Sequence, residues 1–183
     1  MPVVRVSDAT FSDLKLMATW FGTKTPSETL DRAVRDMMDH LGLEREDQDS
    51  GGVSDDEGVM EFERTPGLSF TRVLSAKVNN KELPKSNWAS VLASVVLEVK
   101  RKGYEGESLV RELQIPARNG LYEELGYKFD SKLGISIQGQ SAPEAWKEIS
   151  RLAQKWKIPV SIQIQWKDNP KAQFPGKVGL IRT

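Results

Sequence analysis

The 183-residue chain contains no cysteine, which excludes disulfides and thiolate metal sites. Its single histidine, His40, is too little for a multi-histidine zinc site. His40 also falls at the end of a predicted helix, and no nucleophile motif offers it a place in a Ser-His-Asp triad. No apolar run approaches the roughly 18 residues that a transmembrane helix needs. The opening MPVVRVSDATF has neither the basic onset nor the apolar core of a signal peptide. No membrane partner, metal or cofactor is therefore expected, and the cytoplasm is the expected compartment. A mean hydropathy of −0.46 with 38% hydrophobic residues fits a soluble globular chain. The length suits one large or two small domains.

Net charge is lacking too, but its zero hides a polar distribution. Residues 1–40 are near neutral, with 5 basic and 6 acidic side chains. Residues 41–67 carry 2 basic and 9 acidic, net −7, and residues 68–183 carry 19 basic and 11 acidic, net +8. A basic surface of that size attracts polyanions without further design.

The first forty residues have a definite grammar. Val3 to Ser7 is a short β-rich run, with Val4 and Val6 on one face and Val3, Arg5 and Ser7 on the other. A helix is predicted from about Ser12 to Phe21, with Phe11, Leu14, Met17 or Ala18, and Phe21 on one stripe. Gly22 ends it. Thr25-Pro26-Ser27-Glu28 then reads as a capping box, with Pro26 at the tolerated first position. The second helix runs to about Leu41 and gathers Leu30, Ala33, Val34, Met37, Met38 and Leu41 on its apolar face. One strand and two short helices cannot bury such faces alone, and a lone strand leaves an open edge. Two copies that pair their strands antiparallel solve both problems, so a homodimer through residues 2–42 is expected.

Strand, helix, glycine turn and capped second helix within forty residues resemble the ribbon–helix–helix fold of the Arc/MetJ/CopG type. VRVSDATFSDLKLMATWFGTKTPSETLDRAV also looks like the N-terminal module of the SeqA-type negative modulators of replication initiation, where this fold serves oligomerisation more than base reading. In groove-reading members a two-stranded ribbon enters the major groove. The resemblance then implies that Val3, Arg5 and Ser7 face DNA, and that Lys24, Thr25 and Ser27 meet a phosphate at the second helix's N-terminus. This chain departs from that pattern in having Arg5 as its one strong base-edge residue, in a slightly acidic module.

The organisation expected is an α+β protein in three parts: a ribbon–helix–helix module at 1–43, an acidic linker at 44–65 and a basic, mixed α+β domain at 66–183. EREDQDSGGVSDDEGVMEFERT lacks apolar periodicity and suits a tether disordered in its middle. Beyond it, Leu68–Val78 is β-rich and Asn79-Asn80-Lys81 is a turn. Ser86 is a candidate cap for a helix from Asn87 to about Lys102 that buries Trp88, Val91, Leu92, Val95, Val96 and Val99. A shorter helix at about 107–113 ends before Pro116, and 116–126 reads as a loop. Ile135–Gln138 alternates as a strand. Ser141-Ala142-Pro143-Glu144 is a second capping box, which opens a helix to about Trp156. Val160–Trp166 alternates as a half-buried strand, and Val178–Ile181 is a candidate last strand. Helices on one face of a small sheet are the expected arrangement.

Few constellations offer chemistry. Glu98-Val99-Lys100, after a valine-rich run, has the Glu-x-Lys spacing of the PD-(D/E)xK nucleases, in which carboxylates hold Mg²⁺ and the lysine positions water. No aspartate lies between Asp56 and Asp130 to complete that set, and the same run fits a helix. Glu123 and Glu124 are adjacent in a loop and do not converge on one substrate atom. Gly134 and Gly139 lack the spacing of a phosphate-binding glycine loop. Eight cationic residues are the expected nucleic-acid contacts of the second domain. These are Lys100, Arg101, Lys102 and Arg118, with Lys167, Lys171, Lys177 and Arg182 beside Trp166 as a candidate base-stacking ring. The function expected is that of a homodimeric DNA-binding regulatory or accessory protein acting on duplex DNA, and not an enzyme. The alternatives are an adaptor subunit of a larger nucleoprotein complex and a Mg²⁺-dependent nuclease subunit using Glu98 and Lys100.

Overall fold

A computed structural model describes residues 5–41, 58–62, 64–84 and 86–183. The chain divides into two units, Met1–Asp39 and His40–Thr183.

The first unit is helical where it is described. Helix α1 spans Asp8–Phe21, four residues longer at its start than the apolar stripe suggests. The reason is Ser7, whose hydroxyl accepts the Thr10 amide N–H and caps the helix. Gly22 closes α1 in the left-handed region at φ 64°, with its N–H donated to Ala18 O. Helix α2 spans Pro26–Leu41. Of the expected ribbon strand, Val3 and Val4 lie outside the described residues, and Arg5 to Ser7 have no regular structure.

The second unit is α+β. Its five-stranded sheet has the order β1-β8-β7-β2-β3, with β1 Met60–Glu61, β2 Thr71–Val78, β3 Lys81–Glu82, β7 Val160–Trp166 and β8 Val178–Arg182. All neighbours are antiparallel except β1 and β8. A separate three-stranded sheet, β4-β6-β5, joins β4 Ala117–Asn119, β6 Ile135–Gln138 and β5 Tyr127–Asp130. Helices α3 (Trp88–Lys100), α4 (Gly106–Glu112) and α5 (Ala142–Trp156) complete the unit. Asn87, not Ser86, caps α3, and it does so in a reciprocal box with Ser90. Ser141 caps α5 by accepting the Glu144 N–H. No helix among the described residues is long and apolar enough to cross a membrane.

Period-two alternation places the core. Along β7, residues 160, 162, 164 and 166 are buried while 161, 163 and 165 are half-exposed. Val73, Ala76 and Val78 of β2 share the buried face, and α3 packs on it with Val91, Val95, Val96 and Val99 fully enclosed. Ile149 and Leu152 of α5 join the same core.

Two boundaries differ from expectation. The end of the acidic tether belongs to the second unit: Met60–Glu61 adds a parallel edge to β8, and Thr65 accepts the Trp146 indole N–H at 3.0 Å. Residues 44–57 of the expected linker lie outside the described residues. The expected loop 116–126 contributes strand β4, which pairs with β6.

Candidate nucleic-acid interface

The face of the large sheet opposite α3 is polar. A bulge between Val73 and Ser75 keeps Arg72, Ser75 and Lys77 on this face despite their uneven spacing. Across the strands, Lys77 pairs with Ser161 and Ser161 with Arg182, so the two cations share one row about 10 Å apart. The next row holds Ser75, Gln163, Leu180 and Glu61, and the third holds Arg72, Gln165 and Val178. Arg72 grips Gln165 Oε1 through Nε at 3.0 Å and Nη2 at 2.7 Å, and Ser75 Oγ donates to Gln163 Oε1 at 3.2 Å. Arg182 Nη2 meets Glu61 Oε1 at 3.1 Å. Both partners of that pair are well exposed, so it contributes little stability and a stronger anion can replace Glu61. A shallow depression of about 350 Å³ lies over these rows, between Val59, Ser75, Lys77, Gln163 and Arg182.

The other expected contacts are dispersed. Lys100 lies on α3, whose side of the sheet is the opposite one, and its Nζ donates to the carbonyls of Lys132 and Leu133 at 3.0 and 3.2 Å. Arg101 is paired with Glu98, which also accepts from Asn79 Nδ2 at 2.9 Å. Lys102 is exposed just past the helix. The Glu98–Lys100 stretch is helical, so the strand that the nuclease alternative requires is not there. Among the described residues no three His, Cys, Asp or Glu side chains converge as a metal would need.

Trp166 is a correction. It is fully buried, and its indole N–H donates to Gly67 O at 2.8 Å, so it presents no face for base stacking. It anchors an aromatic cluster instead, edge-on to Phe62 and Phe174 with ring centroids 5.7 and 5.1 Å away. Lys167 follows it half-buried, with its backbone N–H on Phe70 O. Lys171 is exposed in the β7–β8 connection, and Lys177 ends that connection half-buried.

Arg118 is exposed at the small sheet's edge. Its guanidinium lies 4.1 Å from the Tyr122 ring centroid and 5.4 Å from that of Tyr127. The two rings are themselves edge-on at 5.1 Å. Leu121 and Leu125 stand exposed beside them, at 72% and 74%.

In the first unit, the start of α2 is already supplied with an anion of its own. Thr25 Oγ1 accepts the Glu28 N–H at 3.2 Å, and the Glu28 carboxylate accepts the Lys24 N–H at 2.9 Å. A phosphate arriving at Lys24, Thr25 and Ser27 would have to displace that carboxylate, which argues against a strong phosphate site there. Ser7 spends its hydroxyl on the α1 cap, and Arg5 is exposed. Sequence reasoning missed Arg72 and Lys77. Alternation with Val73 and Val78 was the signal for them, blurred by the bulge.

Comparison with known proteins finds no matching family model, no matching curated protein and no matching solved structure.

Proposed function

We propose that the chain is a homodimeric DNA-associated protein of the regulatory or accessory kind, whose first unit pairs two copies and whose second unit holds duplex DNA. The observation that carries the reading is the open sheet face, where Lys77 and Arg182 flank Ser161 in one row and Gln163 and Gln165 follow in the next two. Cations attract phosphates from a distance, and the serine and glutamine side chains then offer short-range donors and acceptors. Pairing is supported by the exposed apolar residues of the first unit. Leu16 and Trp20 of α1 stand 70% and 90% exposed, and Val34 and Met37 of α2 stand 43% and 58% exposed. A second copy that brings its own α1 and α2 is the simplest cover. Two linked modules then bind DNA with an avidity neither has alone.

The test is fluorescence anisotropy with a labelled random duplex and the full chain. Lys77→Gln combined with Arg182→Gln is expected to weaken binding at least tenfold and to flatten the salt dependence. Lys100→Gln is expected to leave affinity nearly unchanged. Equal loss from both would contradict the sheet face as the binding surface.

A second reading, an adaptor within a larger nucleoprotein complex, is favoured by one observation: Arg118, Tyr122 and Tyr127 flanked by exposed Leu121 and Leu125. Tyrosine and arginine next to apolar surface are the residue types that dominate protein interfaces. Arg118→Ala with Tyr122→Ala, tested for unchanged DNA affinity and loss of a protein partner, separates the two readings.

A further inference from the structure

The depression on the open sheet face is lined by Glu61, Ser75, Lys77, Ser161, Gln163 and Arg182 among others. Its donors are mostly uncommitted. Among the described residues, Lys77 has no ion-pair partner and the Ser161 hydroxyl has no hydrogen-bond partner. Gln163 accepts from Ser75 through Oε1, and its side-chain N–H groups meet no acceptor. Arg182 is held by Glu61 on β1, across β8 from Ser161. Glu61 is the single acid in the lining. Glu82 lies opposite Lys77 on β3, outside the depression, and pairs with no cation among the described residues.

Neighbouring strands lie about 4.8 Å apart, so Lys77 and Arg182 each have one strand spacing to cross to meet above Ser161. A group that accepts from both must be an anion with several oxygens. Glu61 already shows Arg182 taking an oxyanion, but it meets Arg182 alone. The pair is 60% and 65% exposed, so water and salt leave it weak and easily exchanged. A phosphate offers enough oxygens for lysine, serine and arginine together, and serine and glutamine are common neutral partners of backbone phosphates.

We propose that the Lys77–Ser161–Arg182 row seats one backbone phosphate of the nucleic acid, and that Glu61 is a built-in competitor for Arg182. The phosphate accepts from Lys77 Nζ, the Ser161 hydroxyl and the Arg182 guanidinium, with the Gln163 amide as the neighbouring donor. Arg182 leaves Glu61 to make this contact. Glu61 thereby restrains the affinity of the face, while Lys77 and Ser161 fix where the phosphate sits. The proposal rests on the reading of this face as the nucleic-acid surface, and adds to it a register and a restraint.

The test is a double-mutant cycle on the full chain, read by fluorescence anisotropy of a labelled random duplex. Glu61→Gln is expected to tighten binding about fivefold, because the exposed pair no longer has to be broken. In the Arg182→Gln background the same change is expected to have less than about a twofold effect. Ser161→Ala is expected to weaken binding about fivefold. A second arm titrates the ¹⁵N-labelled chain with inorganic phosphate at constant ionic strength. Saturable shifts are expected at the Ser161 amide and the Gln163 side-chain amide, at about fivefold lower phosphate in Glu61→Gln. Equal tightening by Glu61→Gln in both backgrounds would be a general charge effect, and would overturn the proposal while leaving DNA binding intact. Phosphate shifts that stay linear, or that bypass Ser161 and Gln163, would overturn it too. A duplex that neither wild type nor variant binds, beside saturable phosphate shifts, would remove DNA as the source of the phosphate and leave the seat and its competitor standing.

Discussion

Gly179 shows how closely the second unit is packed. A Cβ at this position would lie 2.8 Å from both Phe62 Cε2 and Trp166 Cζ3. Both are ring atoms in a buried cluster and cannot give way cheaply. Gly179→Ala is expected to cost about 1–3 kcal/mol, read as a lowered urea midpoint. A second residue-scale device ties α4 to α5. Glu148 is 3% exposed and accepts from Arg151 twice, at 2.7 and 2.8 Å, and from the Gln114 N–H at 2.9 Å. Next to it, Glu112 meets Lys155 at 2.7 Å and the Trp156 indole N–H at 3.2 Å. Burial pushes the Glu112 carboxyl up, but the hydrogen bonds from Lys155 and Trp156 and the charges of Lys155 and Arg151 outweigh it. Its pKa therefore lies below the ordinary value. A carboxylate with a depressed folded pKa adds stability above its unfolded value, and that stability is lost as pH falls through the folded one. Thermal stability is thus expected to drop on acidification below about pH 4. Glu112→Gln is expected to be less stable at neutral pH and to lose less on acidification. An identical pH profile in wild type and variant would contradict this. At this scale the sequence was readable where parity was followed. Alternation from Val160 put Trp166 with the buried set, and only its basic neighbours suggested a stacking role. The grip of Lys100 on the carbonyls of Lys132 and Leu133 spans more than thirty residues and has no local signal.

Elements were legible in proportion to their length and their caps. The N-cap residues Thr25 and Ser141 and the alternation of β7 marked α2, α5 and a central strand, although neither cap closes the reciprocal box expected of it: Glu28 accepts the Lys24 N–H, and Ser141 caps α5 through its own hydroxyl. Strands β1, β4 and β5 have two, three and four residues, too short for a period to show. Met60–Glu61 sits in an acidic run and becomes a strand only because β8 offers it an edge. The two helices of the first unit raise a different question, since neither can hide Leu16, Trp20, Val34 or Met37 within itself. If a second copy covers them, Trp20→Ser combined with Met37→Ser is expected to shift the sedimenting mass of the free protein toward one chain, while the second unit keeps its melting transition. Unchanged mass in the variant would place the pairing surface elsewhere.

For the whole molecule, charge is the organising fact. The +8 of residues 68–183 does not form the single patch that the composition suggests. It divides between the open sheet face, with Lys77 and Arg182, and the helix side, with Lys100 committed to carbonyls and Arg101 to Glu98. Composition reports how much charge a chain carries, and only the register of β2, β7 and β8 decides which cations stand together. Sedimentation velocity of a fluorescent duplex of about 30 base pairs, titrated with the full chain at about 50 and 200 mM salt, tests pairing and DNA binding in one experiment. With about six phosphate contacts shared between two chains, a complex carrying twice the 20.5 kDa chain mass is expected at the lower salt, with affinity falling about a thousandfold at the higher. A complex with one chain per duplex, or a duplex whose sedimentation the protein never changes, would contradict it.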